Sequence, residues 1–297
     1  MERKYGKVIK GLGGLYDVRL PDGSVLQCRA RGVLRRDEGK VLVGDTVALS
    51  LDGENTVIEA IEPRRNSLIR PPLSNLDILY VVAAAARPAP VCETLDKLIA
   101  IAEHNGISVV LVITKEDIDR AAAESLRAIY EGAGVPTFLI DGEGACTALL
   151  SHIEKSLTGG KTAALAGASG VGKSTLMNRL FPDLSLATGD ISQKIQRGKH
   201  TTRHVELFVH GDGYIADTPG FSLLDFVHFD FFDLSELFDG FREFAPYAAE
   251  CRYADCTHTR ETECGITAAV RRGKIAASRH ASYVTLYDTL KAKKNYR

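Results

Sequence analysis

The chain lacks any run of about 18 apolar residues, the length that a membrane-spanning helix needs. Its start, Met1-Glu2-Arg3-Lys4-Tyr5, also lacks the apolar stretch of a secretory signal peptide. The net charge is only −1 over 297 residues, which argues against a protein that coats nucleic acid by bulk charge. We therefore expect a cytoplasmic protein that does not enter a membrane.

What is present is typical of a globular protein of two or three domains, with 45% hydrophobic and 25% charged residues. The charge is unevenly distributed. Residues 225–250 contain seven acidic residues and one basic residue, whereas residues 271–297 contain eight Lys or Arg and one acidic residue. The basic C-terminal segment can bind phosphates, or it can be a solvated helix face.

Residues 1–66 predict a small β-barrel. Five short strand-like segments are separated by turn sequences, at residues 6–10, 16–20, 24–30, 45–51 and 56–61. Five strands in this length are typical of the oligonucleotide-binding (OB) barrel. Positions 1–65 contain twelve basic and ten acidic residues, so their charge gives only weak support for RNA binding. The alternative is a barrel that binds another protein.

Beyond an aperiodic, Pro-containing linker at residues 64–76, apolar strands alternate with segments of helical periodicity. This alternation predicts a doubly wound α/β sheet, which binds its ligands at the carboxyl ends of the strands. The last part of the chain is predicted to be mainly α-helical. The predicted domains are residues 1–66, an OB-like β-barrel; residues 67–226, an α/β P-loop domain; and residues 227–297, a domain with a basic C-terminal helix.

A phosphate-loop pattern, Gly-x4-Gly-Lys-Ser, lies between a predicted strand and a predicted helix. Glycines let successive backbone N–H groups point at phosphate oxygens. Lys173 is predicted to neutralise charge on the β and γ phosphates, and Ser174 to bind Mg²⁺. The alternative is a glycine-rich turn without a ligand. The residues of the pattern are Gly167, Ala168, Ser169, Gly170, Val171, Gly172, Lys173 and Ser174.

A candidate base-reading motif, Thr114-Lys115-Glu116-Asp117, follows a predicted buried strand. An Asp carboxylate can accept hydrogen bonds from N1–H and the exocyclic amine of guanine, and adenine offers no such pair of donors. Asp117 therefore indicates GTP over ATP. Alone, the pattern also fits an exposed helix start; its position beside a phosphate loop favours base recognition.

A third motif, Asp217-Thr218-Pro219-Gly220, closes another predicted strand. Asp217 is expected to hold Mg²⁺ through a water molecule, and the Gly220 N–H to sense the γ-phosphate. In isolation the same four residues fit a plain turn. Phe221 follows at the position where many GTPases carry a water-positioning Gln, which predicts slow hydrolysis unless a partner or a residue such as His200 aligns the water.

The polar segment 189–203 is predicted to be mobile and to contain a Thr that completes the Mg²⁺ shell only when the γ-phosphate is present. Thr202 is the preferred candidate, with Thr201 as the alternative. His200 either orients the attacking water or is a solvated loop histidine. The predicted catalytic residues are thus Lys173, Thr202, Gly220 and His200.

A metal site is predicted from Cys251-x4-Cys256-x-His258-x5-Cys264. Three thiolates and one imidazole are the ligand set of a closed tetrahedral zinc site, which leaves no position for water. We therefore expect one structural Zn²⁺. The alternatives are chance clustering or a redox pair of cysteines.

The nucleotide motifs stand in the order base loop, phosphate loop, Asp-x-x-Gly, whereas an ordinary GTPase begins with the phosphate loop. With the barrel and the Cys-Cys-His-Cys pattern, the chain resembles the circularly permuted ribosome small subunit-dependent GTPase A family over essentially its whole length. The resemblance adds Thr175 to the nucleotide-binding residues. Thr114 departs from the usual Asn, which removes the amide that normally braces the phosphate loop, and we expect the Thr hydroxyl to substitute for it in part.

The resemblance implies a GTPase that binds the 30S ribosomal subunit and its 16S rRNA late in maturation and helps release other assembly factors. We expect it to act as a monomer. The resemblance also implies GTP or GDP, Mg²⁺ and one zinc ion as ligands, and subunit-stimulated hydrolysis of GTP by direct attack of water. One alternative is an RNA-binding scaffold that uses GTP only as an occupancy switch, which Phe221 favours. A small-molecule kinase would leave Asp117 unexplained.

Overall fold

The computed structural model of the protein describes residues 4–32, 34, 40–52, 55–68, 71–140, 146–182, 205–217 and 233–294. The chain divides into two compact units. The first comprises Met1–Ile78, Leu150–Leu165 and Ser174–Phe221, and the second comprises Leu79–Leu149, Ala166–Lys173 and Ser222–Arg297. Across the ranges described, no helix combines the length and the apolar character that crossing a membrane would require.

Five strands of the first unit close into the predicted barrel: β1 (Lys4–Leu12), β2 (Leu15–Arg19), β3 (Val25–Ala30), β4 (Thr46–Asp52) and β5 (Asn55–Ile61). They run in the order β1-β2-β3-β5-β4, and β4 pairs back with β1. Only β3 and β5 are parallel neighbours. Because side chains alternate along each strand, Val8, Val18, Cys28, Val47 and Ile58 face inward and form the buried core.

The segment predicted as a linker contains a two-stranded sheet of β6 (Ser67–Leu68) and β7 (Leu73–Ser74). It is fastened by Asp45, whose buried carboxylate accepts hydrogen bonds from Arg64 at 2.7 and 2.8 Å and from the Ser74 hydroxyl at 2.6 Å. A buried charge is stable only when it is paired and hydrogen-bonded in this way.

The first unit also contains β11 (Thr162–Ala166), β12 (Glu206–His210) and β13 (Gly213–Asp217), in the order β11-β13-β12. Strands β11 and β13 are parallel, β12 and β13 form an antiparallel hairpin, and β12 meets β1 at Lys10 and Glu206. The sequence pattern of residues 206–210 does not predict strand β12.

Lys7 of the barrel reaches β11 and β13 with its ammonium group. It donates to the Gly160 carbonyl at 3.1 Å and to the Thr162 hydroxyl at 3.0 Å, and it lies 4.5 Å from the centre of the Tyr214 ring. Burial lowers the pKa of Lys7 to about 8, although nearby Asp77 acts in the opposite direction. This lysine fastens the barrel to the strand that ends at Asp217.

The second unit contains three strands in the order β10-β9-β8: β8 (Ile78–Ala84), β9 (Ser108–Thr114) and β10 (Thr137–Leu139). Residues of β8 are buried throughout, as a strand covered on both faces requires. Helices α1 (Cys92–His104) and α2 (Arg120–Gly132) follow β8 and β9. Asp119 caps α2 by accepting a hydrogen bond from the Ala122 N–H at 2.9 Å.

Two further helices complete the α/β part: α3 (Thr147–Ser156) follows β10, and α4 (Lys173–Leu180) follows β11. The strand–helix alternation confirms the α/β prediction. In all four cases a helix comes after a strand, so the loops that carry the first two nucleotide motifs leave the carboxyl ends of β9 and β11. Ligands of open α/β sheets bind at these ends.

The C-terminal region is helical, as predicted. Its elements are two 3₁₀ helices (Leu234–Gly240 and Arg242–Phe244), α5 (Ala245–Ala248), α6 (Gly265–Arg271) and α7 (Ala277–Lys294). A side chain on Gly240 would begin 2.8 Å from the Ala100 Cβ, so the first 3₁₀ helix packs closely on α1.

A buried ion cluster holds this region against the α/β helices. The Arg279 guanidinium of α7 donates to Asp96 of α1 at 2.8 Å and to Glu243 at 2.7 and 3.1 Å. The Tyr130 hydroxyl of α2 also donates to Asp96, at 2.9 Å. Arg279 and Asp96 are almost completely buried, so this pairing fixes α1, α2 and α7 together.

Candidate nucleotide site and metal centre

The phosphate loop connects the last residue of β11, Ala166, to the first residue of α4, Lys173. Gly167 has φ +152°, and a Cβ there would lie 2.1 Å from the Val82 carbonyl oxygen. Gly172 has φ +94°, in the left-handed region that favours glycine. Only glycines allow this curled backbone against β8.

Lys173 folds back over the loop. Its ammonium donates to the carbonyls of Gly167 at 2.7 Å and Ala168 at 2.8 Å. Burial lowers the pKa of this lysine. Ser174 and Thr175 follow as exposed residues in the first turn of α4, where a hydroxyl is available to a phosphate-bound Mg²⁺.

The Thr114 hydroxyl joins the base loop to the phosphate loop. It is buried and donates to the Val171 carbonyl at 2.6 Å, with the Ala83 carbonyl at 3.2 Å. A hydroxyl thus makes the brace that an Asn amide would supply at this position. The two motifs, more than fifty residues apart in sequence, form one site.

Lys115 makes the second connection between these loops. Its φ is +59°, and its ammonium donates to the Gly170 carbonyl at 2.8 Å and to the Arg87 carbonyl. Glu116 lies 3.6 Å from Arg120 of α2. Asp117 is exposed in the turn that the Ile118 N–H closes onto the Lys115 carbonyl at 3.1 Å, so its carboxylate is open to a base.

The remaining predicted nucleotide residues fall at or beyond the edge of the described chain. Asp217 is the last residue of β13, and only its backbone is described. His200, Thr202 and Gly220 lie outside the described residues, as do Thr201 and Phe221. Their predicted roles remain predictions.

The loop after β8 was not singled out by the sequence analysis, although it contacts both motifs. Arg87 has φ +51°, its carbonyl accepts the Lys115 ammonium, and Pro88 packs beside Gly170. No local pattern marks this loop, because its partners lie far away in sequence. A Pro-rich segment directly after a buried strand was the one available signal.

The four predicted metal ligands converge. Their ligand atoms all lie within 4.8 Å of one another. Cys251 Sγ lies 3.9 Å from Cys264 Sγ, and His258 Nδ1 lies 3.5 and 3.6 Å from these two sulfurs. In a tetrahedral site, zinc bonds of about 2.3 Å to sulfur and 2.0 Å to nitrogen place two sulfurs roughly 3.8 Å apart and a sulfur and a nitrogen roughly 3.5 Å apart. The donor set therefore fits Zn²⁺, with Nδ1 as the imidazole ligand.

Neighbouring groups hold these ligands in place. The Glu261 carboxylate accepts hydrogen bonds from the Thr257 N–H at 2.8 Å and hydroxyl at 2.5 Å, and from the Thr259 N–H at 3.0 Å. Burial opposes ionisation of Glu261, but these hydrogen bonds hold its pKa down at about 2. His280 Nε2–H donates to the His258 carbonyl at 2.8 Å. Such supporting contacts orient metal ligands.

Comparison with known proteins gives matches along the chain. A family model described as RsgA GTPase matches residues 61–227, and one described as RsgA N-terminal domain matches residues 5–58. The small ribosomal subunit biogenesis GTPase RsgA of Alkaliphilus metalliredigens is 40% identical over 296 residues, which cover 98% of this chain and 99% of the relative.

Two solved structures also resemble this chain over nearly its whole length. YjeQ from Thermotoga maritima has a TM-score of 0.80 at 31% identity, covering 98% of this chain and 99% of that chain. YloQ, described as a circularly permuted GTPase, has a TM-score of 0.78 at 30% identity, covering 98% of this chain and 96% of that chain. Membership of such a family implies GTP or GDP and Mg²⁺ as ligands. The chain belongs to the RsgA GTPase family and is a circularly permuted, GTP-hydrolysing enzyme.

Proposed function

We propose that this chain is a GTPase of small ribosomal subunit biogenesis, which binds the 30S subunit late in its maturation and hydrolyses GTP there. The observation that carries the proposal is the locked pair of loops, in which Thr114 and Lys115 bind the carbonyls of Val171 and Gly170. A base-reading loop fastened to a phosphate loop is the arrangement needed to hold a guanine nucleotide. The name of the relatives supports the ribosomal assignment.

In this proposal the reaction is direct attack of water on the γ-phosphate. A bond forms between the water oxygen and phosphorus, and the bond from phosphorus to the oxygen shared with the β-phosphate breaks, leaving its electron pair on GDP. The proton of the water passes to the released phosphate. Lys173 neutralises charge on the phosphates, and the Gly220 N–H binds a γ-phosphate oxygen.

Mg²⁺, when bound, supplies positive charge to the β and γ phosphates. Ser174, Asp217 and Thr202 would hold it. Around the rest of the nucleotide, residues 167–175 cradle the phosphates with backbone N–H groups, Lys115 braces the site, and Asp117 reads guanine. His200 orients the attacking water, the role that Phe221 cannot perform.

The four residues Cys251, Cys256, His258 and Cys264 hold one structural Zn²⁺ in this proposal. Their distances support a closed tetrahedral site, since no ligand position is left for water. The ion would stabilise residues 251–264, where turns and bends bury little apolar surface.

The rest of the assignment extends the same proposal. The chain acts as a cytoplasmic monomer with three domains, at residues 1–66, 67–226 and 227–297, and its partners are the 16S rRNA and other small-subunit assembly factors. Barrel closure supports the first domain, since β4 pairs back with β1 and the five strands form a closed barrel.

The test is GTP turnover with and without purified 30S subunits. We expect stimulation by 30S subunits and none by 50S subunits, and we expect Lys173→Ala to remove it because the phosphates lose their cation. A rate of GTP turnover that is the same with and without 30S subunits would refute subunit-dependent hydrolysis. Nucleotide-dependent 30S binding without stimulation would instead favour an RNA-binding scaffold that uses GTP as an occupancy switch.

A further inference from the structure

The loop after β8 forms a third wall of the nucleotide site. It begins beside the base loop, where the Ala85 N–H donates to the Thr114 carbonyl at 2.8 Å. Two residues further along the chain, the Arg87 carbonyl accepts a hydrogen bond from the Lys115 ammonium. The same ammonium donates to the Gly170 carbonyl. The Pro88 Cδ would lie 3.7 Å from a Cβ on Gly170. Arg87 is therefore anchored at the middle of the phosphate loop.

Its backbone is held in a costly conformation. Arg87 and Lys115 have φ of +51° and +59°, and neither is glycine, asparagine or aspartate. A left-handed conformation costs an L-residue of this kind roughly 1–2 kcal/mol, and it persists only when surrounding contacts impose it. The Lys115 ammonium joins the two residues by its hydrogen bond to the Arg87 carbonyl. Strain of this kind concentrates at ligand sites.

The Arg87 guanidinium is exposed, and no carboxylate among the described residues pairs with it. By contrast, two arginines of α2 have carboxylate partners: Arg120 pairs with Glu116, and Arg127 pairs with Glu131. A guanidinium on a loop that contacts the phosphate loop, and without a carboxylate partner among the described residues, suits an anionic ligand, because its planar fork matches two phosphate oxygens. Gly170, which has no side chain, leaves room for that fork.

We propose that Arg87 contacts the γ-phosphate of bound GTP and stabilises the charge that develops on it during hydrolysis. This inference rests on the proposed function, because it assigns a further residue to the same reaction. Lys173 is the one cation of the phosphate loop, and Phe221 contributes no polar group. A second cation supplied within the chain acts as an arginine finger does in other GTPases.

The test compares Arg87→Ala and Arg87→Lys with Arg127→Ala, which removes the same charge from the exposed face of α2. Alanine and lysine accept φ +51° about as well as arginine, so the loop keeps its conformation. The readouts are the affinity ratio of a non-hydrolysable GTP analogue to GDP, and the single-turnover rate with saturating 30S subunits.

We expect Arg87→Ala to lower the affinity ratio and to slow turnover at least about tenfold, with GDP affinity changed less than about threefold. Arg87→Lys should be intermediate, and Arg127→Ala should match the wild type. An unchanged ratio and rate in Arg87→Ala, or an equal loss of analogue and GDP affinity, would overturn the inference. If the wild type fails to hydrolyse GTP but the ratio still falls in Arg87→Ala, the proposed function fails and the contact stands.

Discussion

At the scale of single residues, Thr114 illustrates how one substitution is accommodated. An Asn would brace the phosphate loop with an amide, whereas Thr114 does so with one hydroxyl, 2.6 Å from the Val171 carbonyl. Because this carbonyl is buried with the hydroxyl, loss of the bond leaves an unsatisfied acceptor, which costs about 1–3 kcal/mol.

The first prediction concerns this brace. Thr114→Val keeps the shape of the side chain but removes the donor, so the phosphate loop loosens. We expect the Kd for GDP to rise about five- to tenfold, the equivalent of about 1 kcal/mol. Titration calorimetry measures it. Thr114→Ser should retain the affinity, and Thr137→Val, which removes a local hydroxyl contact with Val135, is the matched control. Equal affinities for Thr114→Val and wild type would show that the brace is dispensable.

At this scale much of the site could be predicted from the sequence, because Gly167–Ser174 and Thr114–Asp117 are local patterns with fixed chemistry. The Thr at position 114 also led to the expectation that its hydroxyl would substitute in part for an Asn amide. The contact of Lys115 with Arg87 was beyond reach, since a backbone carbonyl carries no sequence signature and the two residues lie 28 apart. The type of a side chain shows which groups it can bind, but the fold determines which distant residues come close enough to be bound.

At the scale of elements, the barrel is fastened to its neighbouring strands by a buried lysine. The pKa of Lys7 is about 8 in the folded chain, against an ordinary value of 10.5. Between these two values the unfolded chain binds more protons than the folded one, so the free energy of unfolding rises with pH. Below pH 8, Lys7 is charged in both the folded and the unfolded chain, so the full cost of burying its charge lowers the free energy of unfolding.

The second prediction follows from this difference. The wild-type free energy of unfolding, measured relative to Lys7→Met, should rise by roughly 3 kcal/mol between pH 8 and 10.5, because each pKa unit is worth about 1.4 kcal/mol. Urea denaturation followed by circular dichroism gives the values, since the chain has no Trp. Lys10→Met, which removes an exposed ion pair with Glu206, should not alter the pH dependence. A flat difference across this range would contradict the burial of a charged Lys7.

The third prediction concerns the ion cluster that holds α7 against α1. Arg279→Met leaves Asp96 and Glu243 buried without a cation, which should destabilise the second unit by about 3–5 kcal/mol. Arg242→Met, at the exposed pair with Glu103, should cost less than about 1 kcal/mol. Thermal denaturation compares the two variants. Similar melting temperatures would mean that the buried cluster contributes no more than a surface pair.

The fourth prediction concerns the metal centre. The purified protein should contain one zinc per chain by elemental analysis, and Cys264→Ser should lose it, because a serine hydroxyl is a poor zinc ligand. Cys92→Ser, at a half-buried thiol of α1, should keep the metal. Zinc-free wild-type protein with an unchanged melting temperature would contradict a structural ion.

The elements were predictable where their residues follow a clear period. Strand β8 is a continuous apolar run, and the barrel strands alternate between turn sequences. Strand β12 has only five residues after a polar segment and gave no such signal. The cluster of Arg279 and Asp96 was also unpredictable, because its members lie 183 residues apart and a charged residue ordinarily indicates an exposed face.

At the scale of the whole molecule, circular permutation decides which chain segments adjoin the nucleotide motifs. Along the sequence, β8 follows the linker after the barrel, and the C-terminal helices follow the Asp217 motif. The loop after β8 contacts the phosphate loop, and α1, which follows that loop, binds Arg279 of α7. The loop beside the phosphate loop therefore leads directly into the helix that binds the C-terminal region, so the C-terminal region packs on the element next to the nucleotide loops.

The central claim is that the nucleotide governs binding to the small subunit, and co-sedimentation with purified 30S subunits tests it most directly. The fifth prediction is that the protein pellets with 30S subunits in the presence of a non-hydrolysable GTP analogue and remains in the supernatant with GDP. Asp117→Ala, which cannot read guanine, should remain in the supernatant in both cases. Equal pelleting of the wild type with the analogue and with GDP would contradict the account.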